Sequence, residues 1–145
     1  MKKLITSTLA AVAIFSANYT HAHCQIPCGI YGDEARITEM MEDVTTIRKS
    51  VNQINTLAED AGKNANQLVR WVNNKETHAD NISDIVLKYF LQQRIKADQD
   101  QYQEKLVALH KIVVLSMKAK QTSDVKVVDD LEAAIKAFHN MYHKH

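Results

Sequence analysis

Apolar residues that recur at alternating spacings of three and four constrain the fold of this chain more than any other feature. The longest such stripe consists of Ile37, Met40, Val44, Ile47, Val51, Ile54 and Ala58. On a helix these positions share one face, which favours packing against other helices. Asp33 is expected to cap the start of this helix and Gly62 to end it in the left-handed conformation. Met40 and Met41 are interpreted as packing residues rather than metal ligands.

Three further helices are predicted after the first one. The second is expected to run from about Asn66 to Phe90, the third from about Asp98 to Lys120, and the fourth after the capping residues 122–124. Their inward faces are expected to be Leu68, Trp71, Lys75, His78, Ile82, Ile85 and Tyr89, then Tyr102, Leu106, Leu109, Val113 and Ser116, then Val128, Leu131, Ile135, Phe138 and Tyr142. Only residues 125–128 could be mistaken for a strand. The pattern predicts an all-α fold, an up-down-up-down four-helix bundle.

Several polar residues interrupt these faces or follow them. Lys75 is interpreted as a lysine whose stem packs on apolar surface, and His78 as a hydrogen-bonded core histidine. His139, His143 and His145 could bind a stray metal ion, but a solvated tail is the expected state of these residues.

Residues 1–22 have the composition of a secretory signal peptide. Lys2 and Lys3 provide a basic start, an apolar run extends from Leu4 to Phe15, and Ala22 suits the position before the cleavage site. Cleavage there would expose the α-amine of His23, a group with an ordinary pKa of about 8 that can lose its proton to a metal. The expected organisation is therefore a leader over 1–22, a hook over 23–31 and a bundle over 32–145.

The hook itself contains both cysteines of the chain and its only proline. His23, Cys24 and Cys28 place thiol and nitrogen donors within reach of one ion, a donor set that selects a late transition metal. Pro27 and Gly29 allow the backbone to curl and bring the two thiols together. A disulfide is the main alternative in an exported protein, and a structural zinc site is weaker because a second cysteine pair is absent from the sequence.

The hook resembles the start of the mature nickel superoxide dismutases, which read His-Cys-x-x-Pro-Cys-Gly-x-Tyr. His23, Cys24, Pro27, Cys28, Gly29 and Tyr31 occupy every fixed position of that pattern. The resemblance implies one nickel ion per subunit, held by the thiolates of Cys24 and Cys28, the amine and imidazole of His23 and the amide of Cys24. It implies disproportionation of superoxide to dioxygen and hydrogen peroxide through Ni(III) and Ni(II).

The same resemblance implies supporting residues around the metal. A glutamate early in the first helix corresponds by position to Glu39, although a one-residue shift would place Thr38 there. An arginine supplied by a neighbouring subunit is assigned to Arg70. Tyr31 is expected to flank the mouth of the site with Tyr89 as a companion, and Lys88 is one lysine that could guide the substrate anion. The family also implies a homohexamer.

Composition narrows the partners. Eighteen basic residues, two of them in the leader, nearly balance 17 acidic ones, which argues against a nucleic-acid-binding protein. No apolar run after the leader is long enough to span a bilayer, so no stable membrane anchor is expected after cleavage. A protease that removes the leader is an implied partner. The expected location is exported, periplasmic or secreted, or cytoplasmic if the leader is only a propeptide.

A non-enzymatic function is the alternative. Cleavage after Thr20 would leave His21, Ala22 and His23 at the N-terminus, and a histidine third from a free amine forms a square-planar copper or nickel site. The protein would then be an exported helical metal-binding protein. A disulfide-bonded structural bundle is a further possibility.

Overall fold

The computed structural model describes residues 32–143, and these residues form four helices. Helix α1 spans Gly32–Leu57 and is followed by a 3-10 turn, Ala58–Asp60. Helix α2 spans Ala61–Asp84 and continues as a π-helix, Ile85–Arg94. Helices α3 and α4 span Tyr102–Gln121 and Val125–Tyr142.

The helices form an up-down-up-down bundle, as the sequence predicted. Each helix packs against the next one, and α4 also packs against α1, which closes the bundle. Side-chain contacts between α1 and α2 show the antiparallel register, because Asp43 meets His78 and Ser50 meets Asn74 further along. None of the helices within residues 32–143 is both long enough and apolar enough to cross a lipid bilayer.

The predicted apolar faces of α1 and α4 lie in the core, together with residues of α2, the π-helix and α3. Six of the seven residues of the α1 stripe are buried, and the exception, Ala58, lies exposed in the 3-10 turn. On α4 the stripe is buried as far as Phe138, and Tyr142 is half-buried. Met40 is fully buried and Met41 packs against the core, which confirms the packing role assigned to both.

The predicted face of α3 is only partly correct. Leu109 and Ser116 are buried, but Tyr102, Leu106 and Val113 are half-buried residues at the edge of the core. The centre of the buried face consists instead of Lys105, Leu109, Ile112, Leu115, Ser116 and Ala119. The prediction of the buried face was partly wrong because a lysine, Lys105, occupies an interior position on this helix.

Several predicted boundaries are wrong for identifiable reasons. Gly62 does not end the first helix, because it lies in the first turn of α2 and its φ is not positive. Asp60 caps the start of α2 by accepting a hydrogen bond from the backbone N–H of Lys63. The second helical segment continues beyond Phe90 to Arg94, and α3 begins at Tyr102 after Gln101, which adopts a left-handed φ of 56°.

Lys75 and His78 make polar contacts inside the bundle. The Lys75 ammonium donates hydrogen bonds to the backbone oxygens of Lys120 and Thr122, at 2.8 and 2.7 Å. These carbonyls lie at the end of α3, where backbone acceptors lack partners within the helix. Lys75 is 3% exposed, so the interpretation of a buried stem with its charged end in water is wrong, and burial lowers its pKa. His78 Nδ1 lies 2.6 Å from Asp43 Oδ1, which confirms the interpretation of His78 as a hydrogen-bonded histidine.

Candidate functional site

The described chain begins at the base of the predicted hook. His23, Cys24, Cys28 and Tyr31 lie outside the described residues, so their predicted roles stay predictions. Gly32, the first described residue, has a φ of +69°. An added Cβ would meet nothing within 4 Å, so the requirement for glycine comes from the left-handed backbone rather than from crowding. The chain therefore enters α1 through a turn that other residues adopt only with strain.

Asp33 is the centre of a polar cluster at this end of the bundle. Within residues 32–143 its carboxylate accepts hydrogen bonds from Tyr89 Oη at 2.5 Å, Arg94 Nη2 at 2.8 Å and Tyr142 Oη at 2.8 Å. The sequence predicted Asp33 as a helix cap. In the structure Asp33 lies within α1, and its carboxylate instead joins α1 to the π-helix and to α4.

The π-helix explains how Tyr89 and Arg94 reach the same carboxylate. Hydrogen bonds of a π-helix connect residues five apart, as the bond from Ile95 N–H to the Phe90 oxygen illustrates. In a regular α-helix, two residues five apart would differ in direction by about 140°. The wider turn brings both side chains to the face that contacts Asp33.

The cluster strongly perturbs its own titration. Burial alone would raise the pKa of Asp33, but hydrogen bonds from Arg94, Tyr89 and Tyr142 outweigh burial and lower it. Burial, together with the hydrogen bond to Asp33, raises the pKa of Tyr89 to about 12. The same two causes raise the pKa of Tyr142. At neutral pH the cluster therefore contains an ionised aspartate held by two neutral phenols and a guanidinium.

A cleft of about 440 Å³ opens beside this cluster. Its lining consists of Asp33, Arg94, Gln99, Asp100, Lys105, Tyr142 and His143. Lys105 is only 2% exposed, and its ammonium lies 5.8 Å from the centroid of the Tyr142 ring, within the range of a cation–π contact. The cleft thus contains two cations, Arg94 and Lys105, and two carboxylates, Asp33 and Asp100.

Tyr89 and Lys88 both lie on the π-helix, with different surroundings. Tyr89 is 2% exposed and its hydroxyl donates a hydrogen bond to Asp33. Its predicted place beside Tyr31 stays a prediction, because Tyr31 lies outside the described residues. Lys88 pairs with Asp84, one turn earlier, at 2.6 Å.

Glu39 and Thr38 lie in the second turn of α1. Glu39 is ion-paired to Arg36 at 2.6 Å, with 46% of its side chain exposed. Thr38 is exposed. Arg36 in turn lies over the Tyr89 ring, with its guanidinium carbon 6.0 Å from the centroid. Glu39 is therefore connected to the Asp33 cluster through Arg36 and remains accessible.

Arg70 lies far from this end of its own bundle. It is exposed on α2, one turn before Asn74, which contacts Ser50 on α1. At a rise of about 1.5 Å per residue it is roughly 28 Å along the helix from Tyr89. Arg70 and Asp33 of one chain therefore cannot contribute to a common site.

Sequence reasoning missed Arg94 and Tyr142 as residues of the site. Arg94 falls between the predicted second and third helices, and Tyr142 was assigned only to an apolar face. A phenol at the end of an apolar stripe needs a polar partner for its hydroxyl. That requirement was the one available signal for Tyr142.

Comparison with known proteins identifies the chain. A family model described as nickel-containing superoxide dismutase matches residues 18–145, which include the hook and the whole bundle. The comparisons with curated proteins and with solved structures give no match. The family match favours an enzyme over a non-enzymatic metal carrier, with nickel as the cofactor and superoxide as the substrate. Its motif, helical bundle and nearly full-length match agree, and the chain belongs to the nickel-containing superoxide dismutase family.

Proposed function

We propose that His23, Cys24 and Cys28 hold the nickel ion and that superoxide is disproportionated there by alternation between Ni(III) and Ni(II). The observation that carries the proposal is the hook motif, whose every fixed residue is present directly before an anchored helix start. The overall reaction consumes two superoxide anions and two protons, and it yields one dioxygen and one hydrogen peroxide.

The donor set fits this cofactor. Two thiolates, the amine and imidazole of His23 and the amide of Cys24 would combine soft and nitrogen donors, which suit a late transition metal such as nickel. A nickel ion in such a set supplies one-electron redox chemistry that the side chains alone do not provide. Ligand binding requires deprotonated thiols and a free amine, so leader removal before His23 belongs to the proposal.

Asp33 and its three donors fix the base of the hook. A short segment at a chain terminus frays unless it is tied down. Asp33 lies two residues after Tyr31, and it is bonded to both the π-helix and α4. We assign these contacts the role of positioning the ligand-bearing segment.

The charges that line the cleft beside Asp33 are balanced. Its two cations, Arg94 and Lys105, are accompanied by two carboxylates, Asp33 and Asp100, and Arg94 is ion-paired with Asp33. We therefore assign this cleft no role in attracting superoxide. We do not propose Tyr89 as the proton donor. Its hydroxyl is buried, has a raised pKa and donates its proton in the hydrogen bond to Asp33.

A homohexamer is also part of the proposal, on the basis of family resemblance. Arg70 is remote from Asp33 within one chain, so its proposed role at the site requires that a neighbouring subunit supplies it. Val69, beside Arg70, is 59% exposed, which provides apolar surface for a subunit contact. The leader supports export to the periplasm or medium, or cytoplasmic maturation if it acts as a propeptide.

The thiol ligands are tested by replacing Cys24 or Cys28 with serine. Each variant is expected to lose tightly bound nickel and at least 99% of superoxide dismutase activity, since a hydroxyl is a poor ligand in place of a thiolate. Nickel content by mass spectrometry and superoxide decay by stopped flow measure the two effects. Retention of activity near wild type in either variant would show that the ligand assignment is wrong.

The matched variant carries one extra alanine before His23. It keeps every side chain but moves the free amine away from the imidazole. Activity should fall while helix content by circular dichroism stays constant. Unchanged activity would refute a role for the amine of His23.

A further inference from the structure

Glu34, His139 and His143 form a second group of metal-ligating side chains at the hook end of the bundle. His139 Nε2 lies 2.9 Å and His143 Nε2 lies 3.2 Å from the same Glu34 oxygen. One ligand atom from each residue lies within 4.8 Å of the other two. Glu34 comes from the first turn of α1, and the two histidines come from the end of α4.

The helix geometry brings the two imidazoles together. Residues four apart lie on the same helix face, so His139 and His143 are neighbours along that face. Their ring centroids are 4.8 Å apart and the ring planes differ by 84°. Both rings direct Nε2 toward the Glu34 carboxylate, although His143 follows the last residue of α4.

The two distances from Glu34 suit a common metal ion. Zinc binds imidazole nitrogen and carboxylate oxygen at about 2.0–2.2 Å, so ligand atoms at angles between 90° and 110° are about 2.8–3.6 Å apart. The observed 2.9 and 3.2 Å fall within that range. Two imidazoles and a carboxylate are also a donor set that favours zinc, copper and nickel over magnesium or calcium.

Ion pairing alone gives the cluster little stability. The side chains of Glu34, His139 and His143 are 62%, 34% and 40% exposed, and exposed ion pairs contribute little in water. The same exposure gives an ion free access and leaves coordination positions for water. We propose that Glu34, His139 and His143 form a second metal site, which binds a late first-row divalent cation and is separate from the nickel hook.

Such an ion would connect the beginning of α1 to the end of α4. Glu34 follows Asp33 directly, and the His143 ring contacts Tyr142, one of the donors to Asp33. Binding to the folded state alone raises the unfolding temperature. The site would therefore stabilise the base of the hook without participating in the redox reaction.

The test is a titration of the nickel-loaded mature protein with zinc chloride, followed by equilibrium dialysis and metal analysis. Wild type should bind one zinc ion per chain in addition to nickel. Saturating zinc should raise the melting temperature by roughly 5–10 °C. The double variant His139→Ala, His143→Ala should lose both effects, and Glu34→Gln should weaken zinc binding at least tenfold.

Two controls separate this site from others. His110→Ala removes an exposed histidine of α3 and should leave zinc binding unchanged. A Cys24→Ser, Cys28→Ser variant removes the hook thiols and should still bind zinc through the second site. Absence of an additional zinc ion in wild type would overturn the proposal. Binding of the additional zinc ion by the double histidine variant would also overturn the proposal. Neither measurement depends on dismutase activity.

Discussion

Asp33 and Asp43 are both carboxylates of α1 that face neighbouring helices, but their surroundings differ. Asp33 accepts a guanidinium and two phenols, contributed by the π-helix and α4. Asp43 accepts hydrogen bonds from His78 at 2.6 Å and Asn81 at 3.3 Å, both on α2, and its Oδ2 has no hydrogen-bond partner within residues 32–143. Asp43 therefore joins one pair of helices, whereas Asp33 holds together the end from which the hook departs.

The largest effect on stability and activity is expected when Asp33, rather than Asp43, is replaced. Replacement of Asp33 with alanine leaves Arg94, Tyr89 and Tyr142 without their common acceptor and should lower the free energy of unfolding by about 3 kcal/mol. Dismutase activity should fall at least tenfold, because the hook loses its fixed base. Urea unfolding and stopped-flow superoxide decay provide the two measurements.

Asp43→Ala is the matched control for this prediction. It should cost about 1–2 kcal/mol of stability, with activity per bound nickel within about twofold of wild type. Equal losses of activity in the two variants would mean that both act through general destabilisation, and the proposed contrast would fail.

A smaller effect is expected on the pH dependence of the free energy of unfolding, which tests the role of the Asp33 charge. The pKa of Asp33 is lowered in the folded state, so its stabilising contribution is complete above the unfolded-state value of about 3.9. The contribution disappears as pH falls through the lowered folded-state value, because the carboxyl is then protonated in both states. The stability difference between wild type and Asp33→Asn should therefore be constant above about pH 5 and shrink below pH 4.

Urea unfolding over pH 2.5–7 measures this difference. A gap that stays constant down to pH 2.5 would show that the charge of Asp33 does not stabilise the fold.

The smallest expected effect on stability concerns Glu39, a third carboxylate of α1. Its exposed pair with Arg36 should contribute less than about 0.5 kcal/mol. If Glu39 supports the metal site, as the family resemblance implies, Glu39→Gln should still reduce activity about tenfold. Thr38→Ala is the control for the alternative alignment, and a loss of activity in that variant instead would transfer the role to Thr38.

The sequence was most informative where function and packing depend on local patterns. The apolar stripes of α1 and α4 predicted the bundle because packing repeats every three to four residues. The hook motif predicted the family because its donors lie within nine residues. Neither kind of pattern contains the partners of Asp33, since Arg94 and Tyr142 are 61 and 109 residues away along the chain.

The π-helix was not predictable for a related reason. Residues 85–94 have the composition of an ordinary amphipathic helix, and no proline or glycine marks the change of winding. Lys105 misled the prediction of α3 because a lysine is normally exposed, whereas here it lies beneath Tyr142. Both errors involve residues whose environment is set by distant parts of the chain.

The bond between Asp33 and Tyr142 has a consequence for the order of events during biogenesis. Asp33 and Tyr142 are 109 residues apart, so their hydrogen bond cannot form before α4 has been synthesised and has docked against α1. The support beneath the hook would consequently be completed only when the last helix has docked. A nascent or partly folded chain would contain the nickel ligands but not the contacts of Asp33 that position them. Productive metal insertion should therefore follow folding rather than initiate it.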